Sequence, residues 1–485
     1  MNSEEQKKKT PVVVILGHVD AGKSSILDYI CRTNTVAKEC GGITQHIGVY
    51  EAEIKGQRIT FIDTPGHAAF SSVRSRGAKI ADLAILVVAT DQGVQPQTKE
   101  AITYLKATQL PTIVAFNKAD LTTEKLNSIK GQLQKEGMTV ESMGGTVPAL
   151  EISAKTGQGM EALLDLVLLM SEIEDLSADF SVPAQGVVIE SHQDSFKGPA
   201  ATLIVNQGRL KIGDIIATPS AHGKAKSLSN YRGESLNQVE PGQAATIVGF
   251  SQVPKSGEEF RVYQSLSEIE KQTATAGIGR SVPAVEGAYN VIIKADVNSS
   301  LEAIELILSE IPQDKVKVNI IEARTGPVTQ NDVNLAQITK AEIIGFNVGL
   351  ASGVANLLDK NKIIFKNFDV IYKLSEYVAE AIERRRRPEE VRRVVGQLEV
   401  VAIFKTEKNR QIVGGNVISG QIEKGAKLDI FRGKEKIGQG KIVTLECRKK
   451  QVDSVPKGQQ AGILYEGHGR IEIGDLIEAY FIDLV

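Results

Sequence analysis

Cysteine is scarce in this chain: three residues (Cys31, Cys40 and Cys447) in 485, with no two at a spacing that suits a metal site or a redox pair. That argues against a disulfide framework and for a reducing compartment. Long apolar runs are also lacking. The continuous run at 83–89 is strand-sized, far short of the ~20 residues of a membrane span. Residues 1–10 carry charge with no apolar core behind it, so no secretion and no membrane insertion are expected, and a cytoplasmic setting is. Nor is one sign of charge in excess, with 57 Lys and Arg against 59 Asp and Glu, a net of -2. With 42% hydrophobic residues the composition is that of a globular chain. Its length suits roughly three or four domains of ~150 residues. A near-neutral total does not exclude a nucleic-acid partner, because residues 391–485 carry 16 Lys and Arg against 12 Asp and Glu. A solvated surface shows the same excess.

What is present is an alternation of strand-like and helical patterns. Stretches 12–16, 59–62, 83–89 and 112–116 are short, continuous and rich in branched residues. Separated by helix-length segments, they read as buried strands of a mostly parallel sheet. We therefore expect a polar tail over 1–10 and an α/β nucleotide-binding domain over 11–178. From 179 to 265, short strands broken by glycine turns predict a β-barrel. A connector over 266–287 leads to an α/β/α domain over 288–367, with strands at 291–295 and 316–321 and a helix at 300–311. Val370, Ile371, Leu374, Tyr377, Val378, Ala381 and Ile382 fall at three- and four-residue steps. That spacing predicts a long linker helix over 368–387, stopped by Pro388, in a linker spanning 368–390. A second barrel over 391–485 echoes the first. Residues 207–214 resemble 419–426, and Val239-Glu240-Pro241-Gly242-Gln243 resembles Val455-Pro456-Lys457-Gly458-Gln459. Two related barrels is one reading; chance similarity between turn-rich stretches is the other.

Gly17-His18-Val19-Asp20-Ala21-Gly22-Lys23-Ser24 has the glycine, lysine and serine spacing of a phosphate-binding loop, after a predicted strand and before a helical stretch. The glycines let backbone N–H groups converge on phosphate oxygens, and the helix N-terminus adds a positive dipole end. Lys23 would bridge the β- and γ-phosphates, and the Ser24 hydroxyl would ligate Mg²⁺. Asn117-Lys118-Ala119-Asp120 closes a later strand. A carboxylate at Asp120 accepts from the ring N–H and exocyclic amine of guanine, donors that adenine lacks. Ser153-Ala154-Lys155 can offer a backbone N–H to the guanine carbonyl, so the nucleotide is read as GTP or GDP. In Asp63-Thr64-Pro65-Gly66-His67, Asp63 suits a Mg²⁺-bound water and the Gly66 N–H suits the γ-phosphate. His67 stands where small GTPases of the Ras type carry a water-orienting glutamine; a surface-loop residue is the alternative. Thr44 is the expected second hydroxyl ligand of Mg²⁺, in a segment that would order with the γ-phosphate and relax after hydrolysis. His18 and His46 lie near the phosphates by sequence, where packing or capping would equally explain them. His192, His222 and His468 are dispersed, which argues against a zinc site.

At these residues the chain resembles the translational GTPases, and more narrowly the bacterial translation initiation factor 2 family. The resemblance is carried by Gly17-His18-Val19-Asp20, Gly41-Gly42-Ile43-Thr44-Gln45-His46-Ile47-Gly48, Asp63-Thr64-Pro65-Gly66-His67-Ala68-Ala69-Phe70, Arg74-Ser75-Arg76-Gly77-Ala78 and the stretch 91–98. Outside that region it includes Ile292-Ile293-Lys294-Ala295-Asp296-Val297, Ile344-Gly345-Phe346-Asn347-Val348 and Asp369-Val370-Ile371-Tyr372, so it runs from about residue 10 to 485. It implies a monomeric cytoplasmic factor that, with GTP, promotes initiator formylmethionyl-tRNA binding on the small ribosomal subunit, drives joining of the large subunit and leaves after hydrolysis. The ribosome would complete the active site, the histidine matching His67 would orient water, and 391–485 would hold the acceptor end of the initiator tRNA.

The chain departs from the family pattern at four places. Ala21 replaces the phosphate loop's second histidine. The long N-terminal extension is not expected, nor the subunit anchoring it gives. The connector after the first barrel is shorter and richer in glycine. Gly415 and Ala461 replace cysteines that often line the formylmethionine pocket. Two other readings share the nucleotide site: a translational GTPase that delivers a different tRNA, and a GTP-gated binding module without turnover.

Overall fold

The computed structural model describes residues 6–32, 44–121, 125–265, 268–269, 283, 285, 287–313, 316–385, 390–407, 409–433 and 435–484. Gly41, Gly42, Ile43, most of the expected connector, Arg386, Arg387 and Pro388 lie outside them. The chain forms two compact units, Met1–Arg385 and Arg386–Val485.

The first unit begins with a six-stranded sheet. Its strands are β1 (Val12–Gly17), β2 (Gly48–Ile54), β3 (Gln57–Asp63), β4 (Leu83–Ala89), β5 (Thr112–Asn117) and β6 (Ala149–Glu151), in the order β2-β3-β1-β4-β5-β6. All neighbours are parallel except β2 and β3, which form an antiparallel edge. The central strands are buried along their whole length, because helices cover both faces: α1 (Lys23–Cys31), α2 (Ser71–Ile80), α3 (Pro96–Thr108), α4 (Leu126–Lys135) and α5 (Met160–Ile173). Functional loops gather at the carboxyl ends of such strands, and here those of β1, β3, β5 and β6 lead into the motifs.

A six-stranded barrel follows: β7 (Gln185–Asp194), β8 (Gly198–Gln207), β9 (Ile215–Ala217), β10 (His222–Ser229), β11 (Ala244–Phe250) and β12 (Glu259–Tyr263). It closes through the β9–β10 pairing, and the short strand Ser235–Leu236 is added outside the ring on β10. It is joined to the first sheet by Thr60 Oγ1, which donates to the Gly242 carbonyl at 2.6 Å, and by Glu51 Oε1, which accepts from Ala244 N–H at 3.1 Å.

Next comes a four-stranded parallel sheet, β13 (Tyr289–Ala295), β14 (Val318–Thr325), β15 (Glu342–Phe346) and β16 (Phe365–Phe368), in the order β14-β13-β15-β16. Helices α6 (Asn298–Glu310), α7 (Gln330–Thr339) and α8 (Val354–Asn361) connect its strands. Helix α9 (Ile371–Arg385) ends the unit. The expected long helix therefore begins three residues late. Phe368 pairs in register with Phe346 on the sheet edge and so belongs to a strand. Ile371, Leu374, Val378, Ala381 and Ile382 form the buried face of α9. Its last turn is tied to the sheet by Arg385, which donates to Glu342 at 2.6 Å and lies over the Tyr289 ring.

The second unit is a closed six-stranded barrel of β17 (Glu390–Thr406), β18 (Arg410–Glu423), β19 (Lys427–Arg432), β20 (Glu435–Cys447), β21 (Gln460–His468) and β22 (Leu476–Leu484). The two echoing stretches adopt one geometry. Leu210 faces Val239 in the first barrel, Ile422 faces Val455 in the second, and all four are fully buried.

Candidate functional site

The phosphate loop leaves β1 and enters α1. Gly22 has φ 91°, and a Cβ there would collide with the Asn117 amide, so only glycine lets these two loops approach. Lys23 is 5% exposed and donates from Nζ to the His18 carbonyl at 2.7 Å. Gly66 comes close from β3: a Cβ there would lie 2.7 Å from Lys23 Nζ and 2.9 Å from Val19 N. The structure thus brings Val19, Gly22, Lys23, Ser24, Thr44, Gly66, His67 and Lys118 around one cavity of about 280 Å³, to which Asp20 and Tyr372 also contribute. His18 is half-buried beside it, and burial, then the Lys23 charge, lowers its pKa.

Ser24 Oγ lies 2.6 Å from Thr44 Oγ1 and donates to Asp63 Oδ2 at 3.0 Å. Two hydroxyls and a buried carboxylate therefore converge at the start of α1. An all-oxygen donor set of this kind suits a hard divalent cation, so these residues fit Mg²⁺.

At the base end, Asn117 acts as a brace. Its Nδ2 donates to the Ala21 carbonyl at 2.9 Å, and its Oδ1 accepts from Ala154 N–H at 3.1 Å. One buried side chain thus ties the phosphate loop to the Ser153-Ala154-Lys155 loop. Asp120 is exposed, lies outside the lining of that cavity, and is held by Ser153 Oγ, which donates to it at 2.7 Å. Lys118 pairs with Asp91 at 3.0 Å, and Lys155 is exposed.

His67 is 9% exposed. Its Nδ1 accepts from Ala69 N–H at 2.9 Å. A backbone N–H can only donate, so the proton of the neutral ring sits on Nε2. Burial, then the nearby Arg74 guanidinium, lowers the His67 pKa and keeps that ring neutral. In this pose the ring is a hydrogen-bond donor, not a base. Arg74, fully buried, fixes the loop: it donates to the carbonyls of Pro65 (3.0 Å) and His67 and pairs with Glu100 at 2.6 Å.

The sequence reading missed how the second α/β domain reaches this site. Gln45 Nε2 donates to the Asp369 carbonyl at 2.9 Å, and its Oε1 accepts from Ile371 N–H at 3.3 Å. His46 lies 3.2 Å from Asp296. Glu302, on α6, accepts two bonds of 3.0 Å from Arg76 and one of 2.9 Å from Ser72 on α2. The Tyr372 ring lies 4.3 Å from the His67 ring at 58°. The signal for these contacts was that Gln45, His46, Arg76, Asp296 and the stretch Asp369-Val370-Ile371-Tyr372 all lie in family-like stretches, whose partners no local pattern names.

In the second unit, Gly415 and Ala461 are directly opposed on adjacent strands. They line a cavity of about 370 Å³ with Val401, Phe404, Arg448 and Lys449. A Cβ at Gly415 would collide with the Glu399 carbonyl and the Leu398 side chain, so this wall is bare backbone.

A phosphate loop at the tip of a parallel sheet, a base loop braced to it and two flanking segments that converge on Ser24 define a P-loop GTPase. Models of the elongation factor Tu GTP binding domain, elongation factor G domain 2 and translation-initiation factor 2 match residues 8–172, 183–263 and 264–379. The chain is 37% identical to translation initiation factor IF-2 of Rubrobacter xylanophilus, over 98% of this chain and 72% of that protein. It is 39% identical to IF-2 of Synechococcus sp. (strain CC9311), over 98% of this chain and 44% of that protein. With IF-2 of Rhizobium etli the identity is 37%, over 99% of this chain and 55% of that protein. The chain therefore belongs to the translation initiation factor IF-2 family, and it spans about half the length of the latter two relatives. Among solved structures, GDP-bound aIF5B from Aeropyrum pernix is 24% identical over 98% of this chain and 92% of that one, with a TM-score of 0.46. Among the described residues no helix is long and apolar enough to cross a membrane.

Proposed function

We propose that this chain is a GTP-switched initiation factor, monomeric and cytoplasmic, which promotes binding of initiator formylmethionyl-tRNA to the small ribosomal subunit and joining of the large one. The observation that carries the switch is the meeting of Thr44 and Asp63 on Ser24, because it links both flanking segments to the phosphate loop. Ser24 and Thr44 would ligate Mg²⁺, with Asp63 holding a ligand water. The chemistry Mg²⁺ supplies when bound is neutralisation of charge on the β- and γ-phosphate oxygens. Lys23 and the backbone of Gly17 to Ser24 hold the phosphates, and Gly66 N–H senses the terminal one. Asp120 reads guanine, while Asn117, Ser153 and Ala154 hold the loops that frame it and the Lys118 stem lines the site. His67, as donor from Nε2, orients the water that attacks the γ-phosphorus. The ribosome supplies the rearrangement that brings it into line.

For the tRNA, the cavity of the second unit offers an apolar wall (Val401, Phe404) and two cations (Arg448, Lys449), which suits an acylated, phosphate-flanked RNA end. Binding of formylated against unformylated initiator tRNA tests this assignment. A preference for the formylated form is expected, and equal affinity would contradict it.

A further inference from the structure

The start of helix α9 touches both segments that flank the phosphates. Gln45 holds the backbone at Asp369 and Ile371, one residue after Thr44 meets Ser24. Tyr372 lines the nucleotide cavity and lies on His67. Phe70 meets the same imidazole edge-on at 6.2 Å and 85°. His67 Nε2, the atom that would bond water in the proposed reaction, is buried and meets no hydrogen-bond partner among the described residues. The Tyr372 and Phe70 rings thus hold the imidazole between them in this pose. Arg385 and Tyr377 fasten the helix to Glu342 of the sheet at 2.6 and 3.0 Å, so the helix belongs to the second α/β domain.

We propose that Tyr372 is a positioning residue that restrains hydrolysis: it holds His67 in a stored pose, and movement of the second α/β domain away from the nucleotide site releases the imidazole. The inference rests on His67 being the residue that orients water. It gives the chain a physical reason to hydrolyse GTP slowly until another body moves that domain. It also makes one domain's docking report on both flanking segments at once, through Gln45 on one and Tyr372 on the other.

Tyr372 is 51% exposed, so its truncation leaves the core intact. The test is single-turnover GTP hydrolysis by the full chain, with and without ribosomes, for Tyr372→Ala, Tyr372→Phe, His67→Ala and the double variant His67→Ala/Tyr372→Ala. Without ribosomes, Tyr372→Ala should hydrolyse roughly fivefold faster than the parent, the population change that loss of one aromatic contact gives. Tyr372→Phe should match the parent, since the ring suffices, and the double variant should show no gain. With ribosomes, Tyr372→Ala should stay within about twofold of the parent, because the restraint is already released. No gain in Tyr372→Ala, a gain that survives loss of His67, or an equal gain in Tyr372→Phe overturns the inference. If His67→Ala keeps full ribosome-stimulated turnover, the reading of His67 itself fails, whatever Tyr372 does.

Discussion

Gln45 caps the first turn of a helix 326 positions further along the chain: its Oε1 accepts from Ile371 N–H at 3.3 Å. Helix N-termini leave backbone donors unsatisfied, and here the residue after Thr44 satisfies one of them. Thr44, Gln45 and His46 therefore bond in turn to Ser24, to the α9 start and to Asp296. Whatever moves Thr44 must disturb a second domain.

Gln45→Ala removes both bonds to the α9 start. At about 1 kcal/mol per bond, amide exchange at Ile371–Leu374 should quicken by roughly tenfold or more. Hydrogen exchange read by mass spectrometry checks this, and unchanged protection there would show that Gln45 does not secure the helix.

Asp120→Asn should weaken GTP binding by more than about tenfold and move preference to xanthine nucleotides, because an amide offers a donor where guanine also donates. A lost hydrogen bond to a charged group accounts for ~1.5–3 kcal/mol. Competition between GTP and XTP is the measurement, and retained guanine selectivity would defeat the assignment.

Glu342 anchors the far end of α9. Burial alone would raise its pKa, but bonds from Tyr289, Arg385 and Tyr377 outweigh that and lower it below the ordinary 4.5 of a glutamate. A carboxyl whose folded pKa is depressed contributes stability above its unfolded value and loses it as pH falls through the folded one. Glu342→Gln should therefore destabilise the first unit by about 1–3 kcal/mol at pH 7. The gap from the parent should narrow progressively below pH 4.5. Denaturant melts of both proteins across pH 3–7 check it; a gap independent of pH would contradict the role.

Phe404 is 71% exposed on the cavity of the second unit. Phe404→Ala should weaken formylmethionyl-tRNA binding by about tenfold, as loss of one stacking or apolar anchor does. GTP affinity and ribosome-stimulated turnover should not change. Filter binding with labelled initiator tRNA decides, and unaltered affinity would move the tRNA site elsewhere.

The nucleotide site was legible where chemistry is carried by consecutive residues. Gly17 to Ser24 and Asn117 to Asp120 each need a strand before them, and β1 and β5 supply it. The barrel echo was legible because its turns recur with buried partners, Leu210 with Val239 and Ile422 with Val455. Phe368 misled because an apolar residue at helical spacing fits a strand edge equally well, and pairing with Phe346 decides. Tyr372 could not be placed at all from local pattern. An exposed aromatic at a helix start has no periodic signature, and its partner lies in a different domain. Asn117 stands in the same motif as Asp120, and the loops that both ends of its amide brace could not be named from the motif alone.

His67→Ala tests the central claim most directly, with GTP affinity and ribosome-stimulated single-turnover hydrolysis measured on the same preparation. We expect affinity within about threefold of the parent and a stimulated rate reduced by at least ~100-fold, the range for loss of a water-positioning or proton-transfer group. Parent-like turnover with ribosomes present would contradict the account.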